Sequence, residues 1–378
     1  MIYLDHLAST PLDPAVLAAM LPWLDPEAVG NPHAATHRPG WRAGGAVDAA
    51  RGQVAALIGA RSGEIVFTSG ATEANNLALL GAAPAGWTIA VSAIEHASVA
   101  ACLPVLAQRG HPIRILQVDG TGRLDLAALE EVLREGPALV SVMSANNEIG
   151  TLQPLAAIGA LCRRHGALFH SDAVQSPGTA PLEVRALGVD LLSLSGHKLY
   201  GPMGIGALFI RDGLALTPVL FGGGQQEALR PGTVPVALAV GFGAACALAA
   251  ARSRADAAHI LPLRERLFAG LAAALPGLRR NSPSEGCLPG CLNVALPGID
   301  AADLLLDLPD LAIATGSACS SGGSGPSPVL LAIGLTAELA HASLRFGLGR
   351  STTAEEIDGA VALLAAALLD RKASPPYL

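Results

Sequence analysis

Short apolar runs alternate with amphipathic stretches along residues 16–250. The predicted strands are residues 64–68, 88–92, 113–118, 138–144, 167–170, 190–195 and 206–210. The predicted helices between them are residues 71–80, 97–109, 126–134 and 155–165. Continuously apolar strands that alternate with helices predict an α/β fold with a mostly parallel sheet flanked by helices on both faces.

The pattern changes after residue 250. The later segments are a helix at 252–274, a Pro/Gly/Cys-rich stretch at 281–298 that holds a strand at 292–296, a helix near 301–308, an extended run at 311–315, a strand at 343–348 and an amphipathic helix at 353–371. We therefore expect residues 16–250 to form a large α/β domain. Residues 1–15 and 251–378 are expected to form a smaller α+β domain.

Composition narrows the class of protein. The 378 residues are 51% hydrophobic and 15% charged, which allows a sizeable core and excludes a disordered chain. A net charge of −7 without a basic stripe argues against nucleic acid as a partner. The start of the chain lacks the basic residues of a signal peptide, and the apolar run at 236–251 is shorter than the ~20 residues of a membrane span. We expect a cytoplasmic protein without a membrane partner.

Lysine is nearly absent from this chain. Of 24 Lys and Arg residues, only Lys198 and Lys372 are lysines. A bias toward arginine codons explains the scarcity, but Lys198 directly follows a predicted strand, together with Ser195 and His197. In parallel sheets ligands bind beyond the carboxyl ends of strands. A primary amine there can form a Schiff base, which arginine cannot.

Other polar clusters also follow predicted strands. The segment 68–73 predicts either an anion cradle formed by Ala71 and Thr72 at a helix start, or ordinary helix capping. Asp172 is either a structural carboxylate or a ligand to a cationic ring nitrogen. His96 and Asn147 fall at the same predicted edge, where each is either functional or part of a polar turn.

The six cysteines differ in their sequence surroundings. Cys319 lies in a Gly/Ser-rich loop, where an accessible thiol favours a chemical role. Cys287 and Cys291 flank Leu-Pro-Gly, and without further ligands at metal-binding spacing a zinc site is not expected. Three others lie on apolar helical stretches and are predicted to be buried and inert: Cys102, Cys162 and Cys246.

Taken in order, these segments resemble cysteine desulfurases of the iron–sulfur cluster assembly type, which are pyridoxal-phosphate enzymes of aminotransferase class V. The resemblance extends from Tyr3 to Arg350 and thus covers nearly the whole chain. The motifs that carry it are Thr68-Ser69-Gly70-Ala71-Thr72-Glu73, Asn146-Asn147-Glu148-Ile149-Gly150, Asp172-Ala173-Val174-Gln175, Ser195-Gly196-His197-Lys198, Arg230-Pro231-Gly232-Thr233 and Gly316-Ser317-Ala318-Cys319.

The resemblance implies a reaction and a fold. The fold would be the type I fold of pyridoxal-phosphate-dependent transferases. The reaction would convert L-cysteine to L-alanine and leave a persulfide on Cys319. A sulfur acceptor, such as an iron–sulfur scaffold protein, would then receive the sulfur for cluster assembly or thiolation. The enzyme would be a homodimer.

The resemblance also implies roles for individual residues. Lys198 would carry the cofactor and move the Cα proton, Asp172 would pair with the pyridinium nitrogen, and His96 would stack on the ring and take part in catalysis. The other cofactor contacts would be Ala71, Thr72, Asn147, Gln175, Ser195, His197 and, from the other subunit, Thr233. The substrate contacts would be Arg345, Asn147 and Asn31. No resident metal is implied, although Cys319 is a candidate transient ligand of an iron–sulfur cluster.

Two alternatives remain at this point. The chain could be a selenocysteine lyase or another class V enzyme, although an aminotransferase has no use for the thiol of Cys319. It could also be a non-catalytic scaffold for sulfur transfer, which would tolerate the loss of Lys198, Asp172 or Cys319. The short tail at 372–378 leaves open whether a scaffold protein docks there.

Overall fold

The computed structural model describes residues 1–178, 182–316 and 325–373. Within them the strands are β1 (Ile2–Tyr3), β2 (Ile65–Thr68), β3 (Thr88–Ser92), β4 (Ile113–Leu116), β5 (Ala138–Ser141), β6 (Leu168–Asp172), β7 (Leu191–Ser195), β8 (Gly206–Ile210), β9 (Arg279–Arg280), β10 (Cys291–Ala295), β11 (Leu311–Ala312), β12 (Ala314–Thr315) and β13 (Ser343–Gly347). The helices are α1 (Pro14–Met20), α2 (Arg38–Leu57), α3 (Ala71–Ala82), α4 (Ala97–Ala100), α5 (Leu103–Gln108), α6 (Leu126–Glu135), α7 (Leu155–His165), α8 (Val184–Leu187), α9 (Val236–Ala274), α10 (Ala301–Leu306), α11 (Pro328–Ala332), α12 (Ala337–His341) and α13 (Ala354–Ala373).

A seven-stranded sheet forms the centre of the larger part of the molecule. Its strand order is β2-β8-β7-β6-β5-β3-β4, and all neighbouring pairs are parallel except the two that involve β8. Every residue of β5, β7 and β8 is buried, as expected for strands covered on both faces. The prediction of a mostly parallel sheet flanked by helices is confirmed.

A smaller antiparallel sheet of order β12-β13-β10-β9 lies in the C-terminal part. The N-terminal segment returns to this part, because β1 pairs in parallel with β11 and His6 N donates to Gly347 O. The N-terminal segment therefore lies beside the small sheet. It continues through residues 7–10 toward the edge of the large sheet, where Thr10 N donates to His197 O.

One long helix connects the two parts. α9 begins at Val236 rather than near residue 252, so the predicted boundary at 250/251 falls inside a continuous helix. Its first half contributes Phe242 and Cys246 to the core beneath the large sheet, and its second half contributes Leu267 and Leu271 to the core of the small sheet. Among the described residues it is the one helix long and apolar enough to cross a membrane, a criterion that a core helix also meets.

The remaining differences from the predicted elements are local. The helix predicted at 97–109 is two helices, since α5 restarts at Leu103 with Pro104 in its first turn, where the missing N–H costs no hydrogen bond. The strand predicted at 138–144 ends at Ser141, and the following residues form the edge of the site described next. Cys102, Cys162 and Cys246 are buried, as predicted.

Candidate active site

A cavity of about 610 Å³ opens at the carboxyl ends of the parallel strands. It is bounded by the loops after β3, β5, β6 and β7 and by the start of α3. The predicted site residues that line it are Ala71, Thr72, His96, Asn147, Asp172, Gln175, Ser195, His197 and Lys198. The structure therefore brings together most of the residues that the sequence placed at strand ends.

Lys198 lies in a short turn directly after β7. Its Nζ donates to two backbone carbonyls of the N-terminal segment, Leu7 O at 2.5 Å and Ala8 O at 2.9 Å. Gln175 Nε2 also donates to Leu7 O, at 2.9 Å. The sequence analysis did not identify Leu7 or Ala8, because they contribute backbone atoms from a segment that is distant in the chain.

Asp172 ends β6 at the floor of the cavity and is only 5% exposed. Its Oδ2 accepts from Asn75 Nδ2 at 2.7 Å, and its Oδ1 accepts from Val174 N at 3.1 Å. Both bonds require acceptor oxygens, so they orient the carboxylate while it remains available to a cationic ring nitrogen. Asn75, which is fully buried on α3, is thus a site residue that the sequence analysis missed.

His96 is held by the same network. Its Nδ1 accepts from Ser98 N at 3.1 Å and lies 2.8 Å from Ser98 Oγ, which in turn accepts from Asn75 Nδ2 at 2.8 Å. Because Nδ1 accepts a backbone N–H, the neutral imidazole carries its proton on Nε2. Asn75 and Ser98 therefore link the orientation of His96 to that of Asp172.

The turn from β2 to α3 has the form of an anion cradle. Gly70 has a φ of 154°, which favours glycine, and no side chain caps the first turn of α3. A β-carbon at Gly206 would lie 2.8 Å from the Gly70 backbone, so the close approach of the two segments requires glycine at position 206. The first amides of a twelve-residue helix and the Thr72 hydroxyl thus face the cavity without a side-chain cap.

His197 supports the cradle from the β7 side. Burial and the nearby Lys198 charge lower its pKa to about 4, so the imidazole is neutral at pH 7 and acts as a hydrogen-bonding group. Its Nδ1 lies 3.3 Å from Ser9 Oγ, another contact with the N-terminal segment.

Some predicted residues lie outside the cavity. Thr233 is exposed, and its loop is fixed by Arg230, which pairs with Glu73 on α3 at 2.7 Å. Asn31 is exposed and its Oδ1 accepts from His33 N at 2.9 Å, so the structure does not bring it to the site. Cys319 lies outside the described residues.

Arg345 lies behind the cavity on β13 and is 1% exposed. Its guanidinium donates to Asp5 Oδ1 at 2.9 Å and to Asn147 O at 3.0 Å. Arg345 does not line the cavity itself, but it contacts the loop that presents Asn147 there. One nitrogen of the guanidinium is therefore already hydrogen-bonded to a protein carboxylate, that of Asp5.

Two buried acids next to His96 and Asn147 were not predicted as site residues. Burial raises the pKa of Glu95 to about 8, although its Oε1 accepts from Ser92 Oγ at 2.6 Å and Met143 N at 2.7 Å. Burial also raises the pKa of Glu148 to about 7, although a 2.5 Å hydrogen bond from Ser327 Oγ acts to lower that pKa. The only sequence signal for either acid was its adjacency to a predicted site residue.

The residues present fit pyridoxal phosphate. The cavity combines an amine, a carboxylate oriented by two donors and an anion cradle at a helix start, which match the aldehyde, the ring nitrogen and the phosphate of that cofactor. Within residues 1–178, 182–316 and 325–373, no cluster of three or more His, Cys, Asp or Glu side chains is arranged to hold a metal ion.

Comparison with known proteins gives consistent results. Residues 2–359 match the family model described as aminotransferase class-V. The chain is 46% identical to a mitochondrial cysteine desulfurase of Drosophila melanogaster, over 94% of this chain and 78% of the relative. It is 43% identical to the cysteine desulfurase IscS of Rickettsia typhi, over 99% of this chain and 93% of the relative.

Solved structures agree with the sequence relatives. The NifS-like protein of Rickettsia africae superposes with a TM-score of 0.89 at 34% identity, covering 97% of this chain and 99% of that one. A structure described as SspA in complex with cysteine superposes with a TM-score of 0.82 at 34% identity, covering 93% of this chain and 100% of that one.

Proposed function

Because the chain belongs to the class-V aminotransferase family, whose members are pyridoxal-phosphate enzymes, we propose that it is a cysteine desulfurase. It converts L-cysteine to L-alanine and transfers the sulfur to Cys319 as a persulfide. The single observation that carries this proposal is the convergence of Lys198, Asp172 and the α3 cradle on one cavity. Relatives named cysteine desulfurase support the choice of substrate.

Lys198 attaches the cofactor and transfers the proton. Pyridoxal phosphate, when bound, supplies an electron sink for the pair left at Cα after deprotonation. The carbonyls of Leu7 and Ala8 orient the Lys198 amine, so that after substrate exchange Nζ takes the Cα proton. A positioned amine avoids the entropic cost of recruiting a base from solution.

Asp172 and His96 would act on different parts of the cofactor, Asp172 on the ring nitrogen and His96 on the face of the ring. Asp172 supplies a negative charge to the ring nitrogen and keeps it protonated, while Asn75 holds the carboxylate in place. With the cofactor bound, His96 would cover its ring, and the proton that His96 carries on Nε2 could be exchanged with the reacting groups. Gln175 and Asn147 donate to the ring oxygen.

Cys319 then receives the sulfur. Its thiolate attacks the substrate sulfur, the bond between Cβ and sulfur breaks, and the electron pair stays with the carbon skeleton, which is protonated to alanine. The product on the protein is Cys319–S–SH, and an acceptor thiol can attack its outer sulfur. The acceptor proposed is an iron–sulfur scaffold protein or a thiolation partner, and Cys319 is a candidate transient cluster ligand during that transfer.

Arg345 is proposed to bind the substrate carboxylate with its planar pair of donors. Since Asp5 is already hydrogen-bonded to one nitrogen of the guanidinium, substrate binding requires the Asp5 contact to loosen or to share the remaining donors. The exposed position of Thr233 suits a contact with the cofactor phosphate of a second copy, as in a homodimer. We further propose a cytoplasmic location.

The proposal is tested by measuring products from L-cysteine with purified protein reconstituted with pyridoxal phosphate. We expect alanine and sulfide in equal amounts with a reductant present, and loss of both in Cys319→Ala. Cys162→Ala, which removes a thiol buried on α7, is the matched control and should keep wild-type rates. Products that persist in Cys319→Ala would favour a lyase without a protein thiol. Absence of any product would favour a scaffold.

A further inference from the structure

The thiols of Cys287 and Cys291, in the C-terminal part of the molecule, both lie next to Gly150. Cys287 lies in the turn that leads into β10, and Cys291 is the first residue of that strand. A β-carbon at Gly150 would lie 2.7 Å from Cys287 Sγ and 2.9 Å from Cys291 Sγ. Cys287 Sγ also lies 3.8 Å from the backbone oxygen of Cys291, so both sulfurs lie beside the same short segment. Neither residue has a role in the proposed reaction.

The two thiols have unequal surroundings. Cys291 is fully buried, and burial raises the pKa of its thiol. Cys287 is partly exposed, and the neighbouring Cys291 side chain, with the charges of Arg264 and Arg280, lowers the pKa of its thiol. An accessible thiol with more thiolate character beside a buried partner is the arrangement of an attacking and a resolving cysteine.

We propose that Cys287 and Cys291 form a reversible disulfide by exchange with small aliphatic disulfides, a modification site separate from Cys319. In the first step the Cys287 thiolate attacks one sulfur of the small disulfide, forms a mixed disulfide and releases one thiolate. In the second step Cys291 loses its proton, attacks the Cys287 sulfur and releases the second thiolate. The protein loses two hydrogens and two electrons, and the small disulfide becomes two thiols.

The dithiol is attached to the loop that presents Asn147 to the cavity. Cys287 Sγ lies 3.6 Å from Ile149 O, and Cys291 Sγ lies 3.5 Å from Glu148 O. A disulfide has no S–H, so oxidation removes both donors from this loop. Asn293 Nδ2 still donates to Glu148 O at 3.1 Å, which keeps the loop attached in the oxidised form.

The test uses full-length protein carrying Cys319→Ala, because a tryptic peptide of residues 281–345 would otherwise contain a third thiol. The reduced protein is incubated with glutathione disulfide and analysed by intact mass and peptide mapping. We expect the loss of two hydrogens, assigned to a link between Cys287 and Cys291, and its reversal by dithiothreitol. This readout does not depend on desulfurase activity, so it fails or succeeds independently of the proposed function.

Single substitutions in the same background separate the two roles. Cys291→Ser should accumulate one glutathione adduct at Cys287, whereas Cys287→Ser should form neither adduct nor disulfide. Cys162→Ala, the matched control, should oxidise like the parent. Two cysteines that remain fully reduced in the parent, or an adduct that forms equally in Cys287→Ser, would overturn the proposal. Should a serine variant not fold, the link mapped in the parent decides.

Discussion

The edge of the large sheet and the adjoining face of the small sheet contribute to the site in different ways. At the large sheet, Asp172 is the last residue of β6 and Lys198 lies in the short turn after β7, so their positions depend on local chain order. At the small sheet, Arg345 acts through contacts with Asp5 and Asn147, which are distant in sequence. The N-terminal segment lies between the two and contacts both.

The two regions therefore have different roles: the edge of the large sheet supplies reactive groups, and the small sheet positions the loop and the substrate. Residues at strand ends carry groups that suit the cofactor, and their chemistry follows from residue type and from the geometry of parallel sheets. The small-sheet residues orient the loop and the substrate side of the cavity through contacts that form only in the folded chain. We therefore expect substitutions at the edge of the large sheet to lower kcat, and substitutions at the small sheet to raise KM.

The largest effect is expected at Lys198. Lys198→Ala should lower turnover of L-cysteine by at least about 10³-fold and remove the visible absorbance of covalently attached cofactor. Lys198→Arg is the matched control, since it keeps the positive charge without a usable amine, and should be equally inactive. An arginine variant with substantial activity would show that charge, rather than the amine, is what the large-sheet edge supplies.

The next effect is expected at Asp172. Asp172→Asn keeps the size of the side chain but removes its charge and one of its two acceptor oxygens. We expect kcat to fall about 10²–10³-fold and the donor left without an acceptor to cost about 1–3 kcal/mol of stability. Asp125→Asn, at the N-cap of α6 and far from the cavity, should be neutral because asparagine caps helices as well as aspartate. Steady-state kinetics and thermal unfolding check both variants. A wild-type kcat in Asp172→Asn would contradict the assigned role.

At the small sheet the effect should fall on substrate binding. Arg345→Lys loses the planar pair of donors, and KM for L-cysteine should rise about 10- to 100-fold while kcat changes less. Asp5→Asn sharpens the comparison, because it removes the charge that competes for the guanidinium and should leave KM unchanged or lower. A fall in kcat alone in Arg345→Lys would show that Arg345 acts in the rate step, like Asp172 and Lys198, rather than in substrate binding.

A separate effect, on stability rather than on activity, concerns the pH dependence of unfolding. The pKa of Glu95 is about 8 in the folded protein, so folded Glu95 keeps its proton up to about pH 8, whereas the unfolded chain loses it near the usual pKa of 4.5. The folded state therefore binds more protons in that interval, and Glu95 makes stability fall as pH rises through it. Glu95→Gln should remove the Glu95 contribution to this slope and add about 3 kcal/mol at pH 7, because Ser92 and Met143 can still donate to the amide oxygen. Glu148, whose pKa burial raises to about 7, should leave a smaller slope of the same sign.

Urea unfolding across this pH range measures that slope. Glu131→Gln, on the exposed face of α6, is the control and should leave the wild-type slope intact. Burial lowers the pKa of His170 to about 3, so a separate loss of stability below pH 6.5 should persist in both variants. An unchanged alkaline slope in Glu95→Gln would mean that another group produces it.

Sequence alone could predict the parallel sheet, the class-V family and the residues at strand ends. Alternating elements place Asp172 and Lys198 at one edge without any tertiary information. It could not identify Leu7 or Ala8, which act through carbonyls that every residue possesses, or Asn75, whose role exists only because α3 packs beside β6. Asn31, which the family resemblance implies as a substrate contact, is exposed in this structure, where its Oδ1 accepts from His33 N.

The central claim is that the cofactor face and the thiol of Cys319 perform separable steps. It is tested most directly by recording the visible spectrum of wild type and Cys319→Ala before and after addition of L-cysteine, with alanine measured in the same samples. We expect both proteins to hold the cofactor and to change spectrum with L-cysteine, while only the wild type yields alanine. Wild-type amounts of alanine from Cys319→Ala, or a colourless wild type that cannot be reconstituted, would contradict it.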